Sequence, residues 1–174
     1  MNYILETKRL TLREFTSADA QFIIQLLNSP GWIEFIGDRN VRTDEQAINY
    51  LLNGPIKSYD ENGFGLSLVE TKADKKPIGM CGLIKRSHLE HPDIGFAFLP
   101  EFTGKGFAYE IANATVVFAK EVLKMPCVLA VTIPTNTASI KLLGKIGLKF
   151  IKTISFPNET EELMLFSNFS EVTK

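Results

Sequence analysis

The stretch Asp93-Ile94-Gly95-Phe96-Ala97-Phe98-Leu99, running into Pro100-Glu101-Phe102-Thr103-Gly104-Lys105-Gly106, decides how this chain folds. Its first half has the apolar content and length of a strand. From Gly104 to Leu123 the residues Phe107, Ile111, Ala114, Phe118 and Val122 recur at helical spacing, with Ala108, Ala112 and Ala119 as a small-residue stripe beside them. The run Val128-Leu129-Ala130-Val131-Thr132-Ile133 then reads as a strand buried on both faces. Strand, helix and strand make a β-α-β unit, so the two strands run parallel through a right-handed crossover.

Outward from this unit, Gly65-Leu66-Ser67-Leu68-Val69-Glu70 and Ile78-Gly79-Met80-Cys81-Gly82-Leu83-Ile84 read as strands that join the one ending at Leu99 in an antiparallel meander. Lys8-Arg9-Leu10-Thr11-Leu12-Arg13-Glu14 reads as a first strand. Thr16 or Ser17 caps a helix carrying Phe22, Ile23, Leu26 and Leu27, which Asn28-Ser29-Pro30-Gly31 is expected to end. A loop is predicted from Trp32 to Arg42. Thr43 and Gln46 have the spacing of a capping box and open a helix through Leu52. After Ile133, a short helix from Asn136 to Ile146 ends at Gly147, and strands near Leu148–Ile154 and Glu162–Ser167 flank the turn Phe156-Pro157-Asn158. The predicted order is β-α-α-β-β-β-α-β-α-β-β, an α+β or α/β domain around a mixed sheet.

Ligands in open sheets favour the crevice at the carboxyl ends of parallel strands. Here those ends lead into Pro100–Gly106 and Pro134-Thr135-Asn136. Glycines let backbone N–H groups approach an anion, and a helix N-terminus adds partial positive charge, so Gly104-Lys105-Gly106 suits phosphates. No Ser or Thr follows Lys105, which excludes a Walker A loop, and the spacing also misses the dinucleotide pattern. Alone, the three residues read equally well as a strand-to-helix turn. Asn136 and Ser139 share one face of a helix start with Leu143 and Ile146, aimed at the same crevice. Asn136 also fits an N-cap, and Ser139 a buried hydroxyl bonded to the backbone. Small Gly95 and Ala97 leave room on one strand face, for an extended ligand or for close helix packing.

Bulk properties narrow the class. The 174 residues are 45% hydrophobic and 22% charged, with 19 basic and 20 acidic side chains and a net charge of −1. That length suits one core rather than two domains, and the charge balance points away from nucleic acid. No segment has the run of about 20 apolar residues that crosses a bilayer, and the N-terminus lacks a signal peptide pattern. Cys81 and Cys127 both lie in apolar runs, as in a protein of a reducing compartment, so the expected location is the cytoplasm.

Taken together, Asp93-Ile94-Gly95-Phe96, Pro100–Glu110 and Asn136-Thr137-Ala138-Ser139 followed by Leu142-Leu143 resemble the GNAT superfamily of N-acetyltransferases, most closely its Rim-type ribosomal-protein branch and small-substrate relatives. The resemblance runs from Lys8 to Phe150 and implies a single acetyltransferase domain over residues 1–174, with an acyl-CoA N-acyltransferase-like fold and helices on both faces of a mostly antiparallel sheet. It implies that backbone groups at Phe96 and Phe98 bind the pantetheine and thioester of acetyl-CoA. The N–H groups of Gly104, Lys105, Gly106, Phe107, Ala108 and Tyr109 would cradle the diphosphate, and Asn136 would bond the pantetheine arm. It further implies direct transfer to an amine in a ternary complex, with no metal and no acyl-cysteine. Three positions depart from the wider pattern: Glu101 stands where Gln or Arg often opens the phosphate loop, Leu143 where many members carry a Tyr, and Val131 where some carry a Glu.

An amine titrating near pH 10 must lose a proton before it attacks. Asp93, Glu101 and His91 are the candidate acceptors, each reading also as a solvated strand-end group, and Ser139 is the motif-matched hydroxyl near the leaving sulfur. His88 and His91 occupy a polar hairpin loop rather than a metal site. Trp32, Phe35, Asp38 and Arg39, with Phe64 opposite, are expected to wall an acceptor site suited to a cationic amine; Trp32 and Phe35 fit core cover equally well. The expected partners are acetyl-CoA and an amine, not nucleic acid or membrane, and the chain is expected to be a monomer or homodimer. A rival reading is an acyl-CoA-binding module without catalysis; a nucleotide-binding protein is a third.

Overall fold

The computed structural model describes residues 2–157 and 161–168. Among the described residues, eight strands form one sheet: β1 (Tyr3–Glu6), β2 (Leu10–Arg13), β3 (Leu66–Thr71), β4 (Pro77–Ile84), β5 (Asp93–Phe98), β6 (Leu129–Thr132), β7 (Lys149–Ile154) and β8 (Leu163–Ser167). Their spatial order is β1-β2-β3-β4-β5-β6-β8-β7, and every neighbouring pair is antiparallel except β5 with β6. The helices are α1 (Ala20–Leu27), α2 (Pro30–Phe35), α3 (Asp44–Leu51), α4 (Lys57–Asn62), α5 (Phe107–Glu121) and α6 (Thr137–Lys145). No helix among the described residues is long and apolar enough to cross a membrane.

The alternation of β5 splits the core in two. Ile94, Phe96 and Phe98 join a cluster with Ile111, Ala112, Val116 and Ala119 of α5 and Leu143 of α6. Ala97 and Leu99 face the other way, into a cluster built on Phe22, Ile23, Leu26 and Leu27 of α1, Trp32 of α2 and Ala47 and Leu51 of α3. The small-residue stripe thus lets α5 lie close on one face of the sheet, and α1 to α3 cover the opposite face.

Several elements differ from the expectation. β1 was not anticipated: its four residues are an edge strand, exposed or half-buried, with too little alternation to stand out. α1 ends at Leu27, just before Asn28-Ser29-Pro30-Gly31 as read, but Pro30 then occupies the first turn of α2, where its missing N–H costs nothing, so Trp32 to Phe35 of the expected Trp32–Arg42 loop are helical. The helix opening at Thr43 does not stop at Leu52. It passes through a π-helical turn, Leu52–Ile56, that accommodates Pro55 and continues as α4. α5 begins at Phe107 rather than Gly104. Of the run 128–133, Val128 to Ala130 are buried, but Val131, Thr132 and Ile133 are only half-buried, because the sheet opens beside them. Asn158 of the expected turn lies outside the described residues. The capping box is as read: Thr43 Oγ1 accepts from Gln46 N at 3.3 Å, and Gln46 Oε1 from Thr43 N at 3.1 Å.

Candidate active site

β5 and β6 share a single register pair, Asp93↔Leu129, at the start of both strands. Beyond it β5 continues against β4 as far as Phe98, and β6 against β8 as far as Thr132. The two strands therefore part, and their facing backbone edges find no partner in each other. Unpaired strand edges are obligatory hydrogen-bonding groups waiting for a ligand. A cleft of about 740 Å³ opens there, lined on one side by Asp93 to Ala97 and on the other by Ala130 to Ile133, Asn136 and Ser139.

At the open end of β5 the chain makes the short 3₁₀ turn Pro100–Phe102 and enters α5 through Gly104 and Gly106, whose φ angles are +72° and +79°. Only glycine adopts this region without strain. Space above both is open: a Cβ on Gly104 would meet nothing within 4 Å, and one on Gly106 would meet only Arg9 Nη2, at 3.4 Å. The first hydrogen bond into the helix is Glu110 N to Gly106 O, at 3.1 Å. The N–H groups of Phe107, Ala108 and Tyr109 thus lack an intrahelical acceptor, the condition for anion binding at a helix start. Thr103 to Gly106 and Tyr109 are exposed. The loop fits a diphosphate by its open space and its free main-chain donors.

Asn136 caps α6, its Oδ1 accepting from Ser139 N at 3.1 Å. Both residues line the cleft. Asp93 is 1% exposed, lines the cleft and accepts a 2.8 Å hydrogen bond from Arg86 Nε. Burial pushes its carboxyl above the ordinary range, and the Arg86 charge only partly offsets this. Glu101 is exposed in the 3₁₀ turn and does not line the cleft. Nor does His91.

The expected acceptor wall is half assembled. Trp32, Phe35 and Arg39 line the cleft. Asp38 instead pairs with Arg42 Nη2 at 2.7 Å on the surface. Phe64 packs against the core cluster on the α5 side of the sheet. Tyr50, Arg86, Phe156 and Glu161 line the cleft without having been singled out. The β4–β5 pair Ile84↔Asp93 brings the hairpin's ends together, so a basic residue just past Ile84 reaches Asp93. Nothing local marks Phe156 or Glu161, which arrive from the other end of the chain. Trp32 Nε1 is buried with no hydrogen-bond partner among the described residues. Arg39 makes no ion pair among them.

Cys81 is fully buried on β4, its thiol pushed up to about 12 by burial. Its Sγ lies 3.5 Å from Thr115 Oγ1, and it is not among the cleft residues. No group of three His, Cys, Asp or Glu among the described residues is placed to hold a metal.

Known proteins resemble this chain in sequence and in fold. A family model described as "Acetyltransferase (GNAT) domain" matches residues 9–149. The uncharacterized N-acetyltransferase YoaA of Bacillus subtilis (strain 168) is 30% identical over 148 residues, 84% of this chain and 82% of that one. Among solved structures, the RimL ribosomal L7/L12 alpha-N-protein acetyltransferase in complex with coenzyme A superposes with a TM-score of 0.82 at 13% identity, covering 97% of this chain and 98% of that one. Spermidine N-acetyltransferase from Vibrio cholerae, in complex with CoA and spermine, gives 0.73 at 20% identity, with coverages of 91% and 94%.

Proposed function

Because the chain belongs to the GNAT acetyltransferase family, we propose that it moves the acetyl group of acetyl-CoA directly to a primary amine in a ternary complex. The supporting observation is the parting of β5 and β6, which leaves an open cleft, with β5 running on through a short turn into a loop of free main-chain donors. In this reading the unpaired edge at Phe96 and Phe98 takes the pantetheine arm, Asn136 bonds it near the thioester, and the N–H groups from Gly104 to Tyr109 take the diphosphate. The chain acts as one domain, in the cytoplasm, consistent with its two free, buried cysteines.

Asp93 is the proton acceptor that the site supports best. It lies in the cleft wall, and a carboxyl raised above its ordinary range is a stronger base than a solvated one. Arg86 fixes its orientation through the 2.8 Å bond. Glu101, outside the cleft, loses its claim to this role and serves the loop only through its backbone. Ser139 Oγ is the hydroxyl available to the departing thiolate. Much of the acceleration comes from holding amine and thioester together.

The acceptor is a protein N-terminus or a small amine; RimL acts on the first kind and the Vibrio cholerae enzyme on the second. Incubation with acetyl-CoA and a panel of peptides, polyamines and amino acids, following free thiol, tests the reading. Amine-dependent thiol release with intersecting initial-rate lines is the expected result. Tight CoA binding without turnover on any amine would favour the non-catalytic module instead.

A further inference from the structure

Glu110 poses an electrostatic problem for a diphosphate site. It lies in the first turn of α5, and a free carboxylate there would repel the anion that the loop is shaped to hold. The structure shows what becomes of it. Glu110 Oε1 accepts from Thr7 Oγ1 at 2.6 Å and from Arg9 N at 2.8 Å, while Oε2 accepts from Arg9 Nε at 2.6 Å. These bonds outweigh the effect of burial and hold the Glu110 carboxyl below its ordinary range. The same guanidinium donates from Nη1 to the Lys105 carbonyl at 3.1 Å and lies 4.3 Å from the Phe107 ring centroid. Its remaining nitrogen, Nη2, is the group nearest a Cβ built on Gly106, and no hydrogen bond to it occurs among the described residues.

We propose that Arg9 is a diphosphate-binding residue, fixed in advance by Glu110 and the Lys105 carbonyl so that its Nη2 edge faces the anion held by the loop. A mobile lysine would lose side-chain entropy on engaging the phosphates. Arg9 has already lost it, because three of its contacts are made before any ligand arrives. Its charge also offsets that of Glu110, leaving the helix start with its partial positive charge unopposed. The residue thus joins the β1–β2 turn to a loop about a hundred positions away and completes an anion site from outside the sequence motif.

The inference rests on the diphosphate reading of the loop, and its test separates the two. CoA and pantetheine, which lacks the diphosphate, are titrated by NMR into the wild type, Arg9→Met, Arg9→Lys, Glu110→Gln and the Arg9→Met/Glu110→Gln double variant. If the wild type bound no CoA, the loop reading itself would fall, and this inference with it. Given wild-type binding, Arg9→Met loses at least about tenfold in CoA affinity, the scale of a charge-assisted hydrogen bond, and nothing for pantetheine. The double variant regains part of the loss, because the stranded carboxylate is gone. The affinity of the Arg9→Met variant also falls less steeply with added salt than the wild type's. Should Arg9→Met fail to fold, Arg9→Lys carries the test with a smaller loss of CoA affinity and none of pantetheine affinity. Equal losses for both ligands would reduce Arg9 to a structural clamp and overturn the inference, as would unchanged CoA affinity in a folded variant.

Discussion

The loop at the start of α5 and the cleft between β5 and β6 are built by different means. The loop is made of backbone: two left-handed glycines, free N–H groups, and a latch from Thr7 and Arg9 that holds their shape. The cleft is lined by side chains carried on short helices, the loop after α2 and the segment after β7, with Trp32, Arg39, Tyr50, Phe156 and Glu161 converging from distant parts of the chain. Main-chain donors recognise a phosphate whatever side chains surround them, so such a site persists while the sequence drifts. A wall of side chains changes specificity with every substitution. The comparison explains why the cofactor can be argued from the fold, while the acceptor needs chemistry.

The contrast breaks first at Gly106. A Gly106→Glu change adds left-handed strain and a carboxylate among the phosphate donors, so CoA affinity should fall by about 100-fold or more by calorimetry. A smaller loss would mean that the loop is not where the anion binds.

Asp93, in the cleft wall, should respond differently. Asp93→Asn should lower kcat by about 100-fold while leaving CoA affinity unchanged. The sign of its pH dependence follows from its raised pKa. The ionised form is the base, so activity should rise with pH through a midpoint above the ordinary carboxylate value of about 3.9, and the variant should lose that limb. An unchanged limb in Asp93→Asn would assign it to another group.

Among the other side chains of the cleft, individual effects should be modest. Arg39 is exposed and unpaired among the described residues, so Arg39→Ala should change the acceptor KM by up to about fivefold and leave CoA binding alone. A matching change in CoA affinity would blur the division between loop and cleft. Smallest of all, Cys81→Ala with Cys127→Ala should leave turnover intact in a folded protein, because the Cys81 thiol is buried and held protonated up to about 12. Abolished turnover would indicate an acyl-cysteine route.

The same division governs what could be read from the chain alone. The parallel β5–β6 pair, the split faces of β5, the crevice at their carboxyl ends and the caps at Thr43 and Asn136 all follow from local patterns, because a run of alternating residues or a capping spacing carries its own geometry. β1 and α2 escaped: one is an exposed edge with no alternation, and the other begins with a proline that also serves as a stop signal. Asp38 neighbours Trp32 and Phe35 in sequence, which suggests the acceptor wall, whereas Arg42, four residues on, pairs with it on the surface. Phe64, expected opposite that wall, precedes β3 and packs on the α5 side of the sheet, a contact that no local pattern reports. Arg86 and Glu161 need tertiary pairing to reach the cleft. Arg9 meets Glu110 across 101 positions, and no window of sequence contains both.

The central claim, that main-chain amides at the start of α5 hold the cofactor's diphosphate, is open to one direct measurement: following every backbone amide by ¹⁵N-NMR as CoA is added. The largest shifts should fall on Gly104 to Tyr109, followed by Phe96 and Phe98 on the unpaired edge. Shifts that spared this loop and gathered elsewhere, such as the separate cavity of about 500 Å³ beside the π turn, would contradict it.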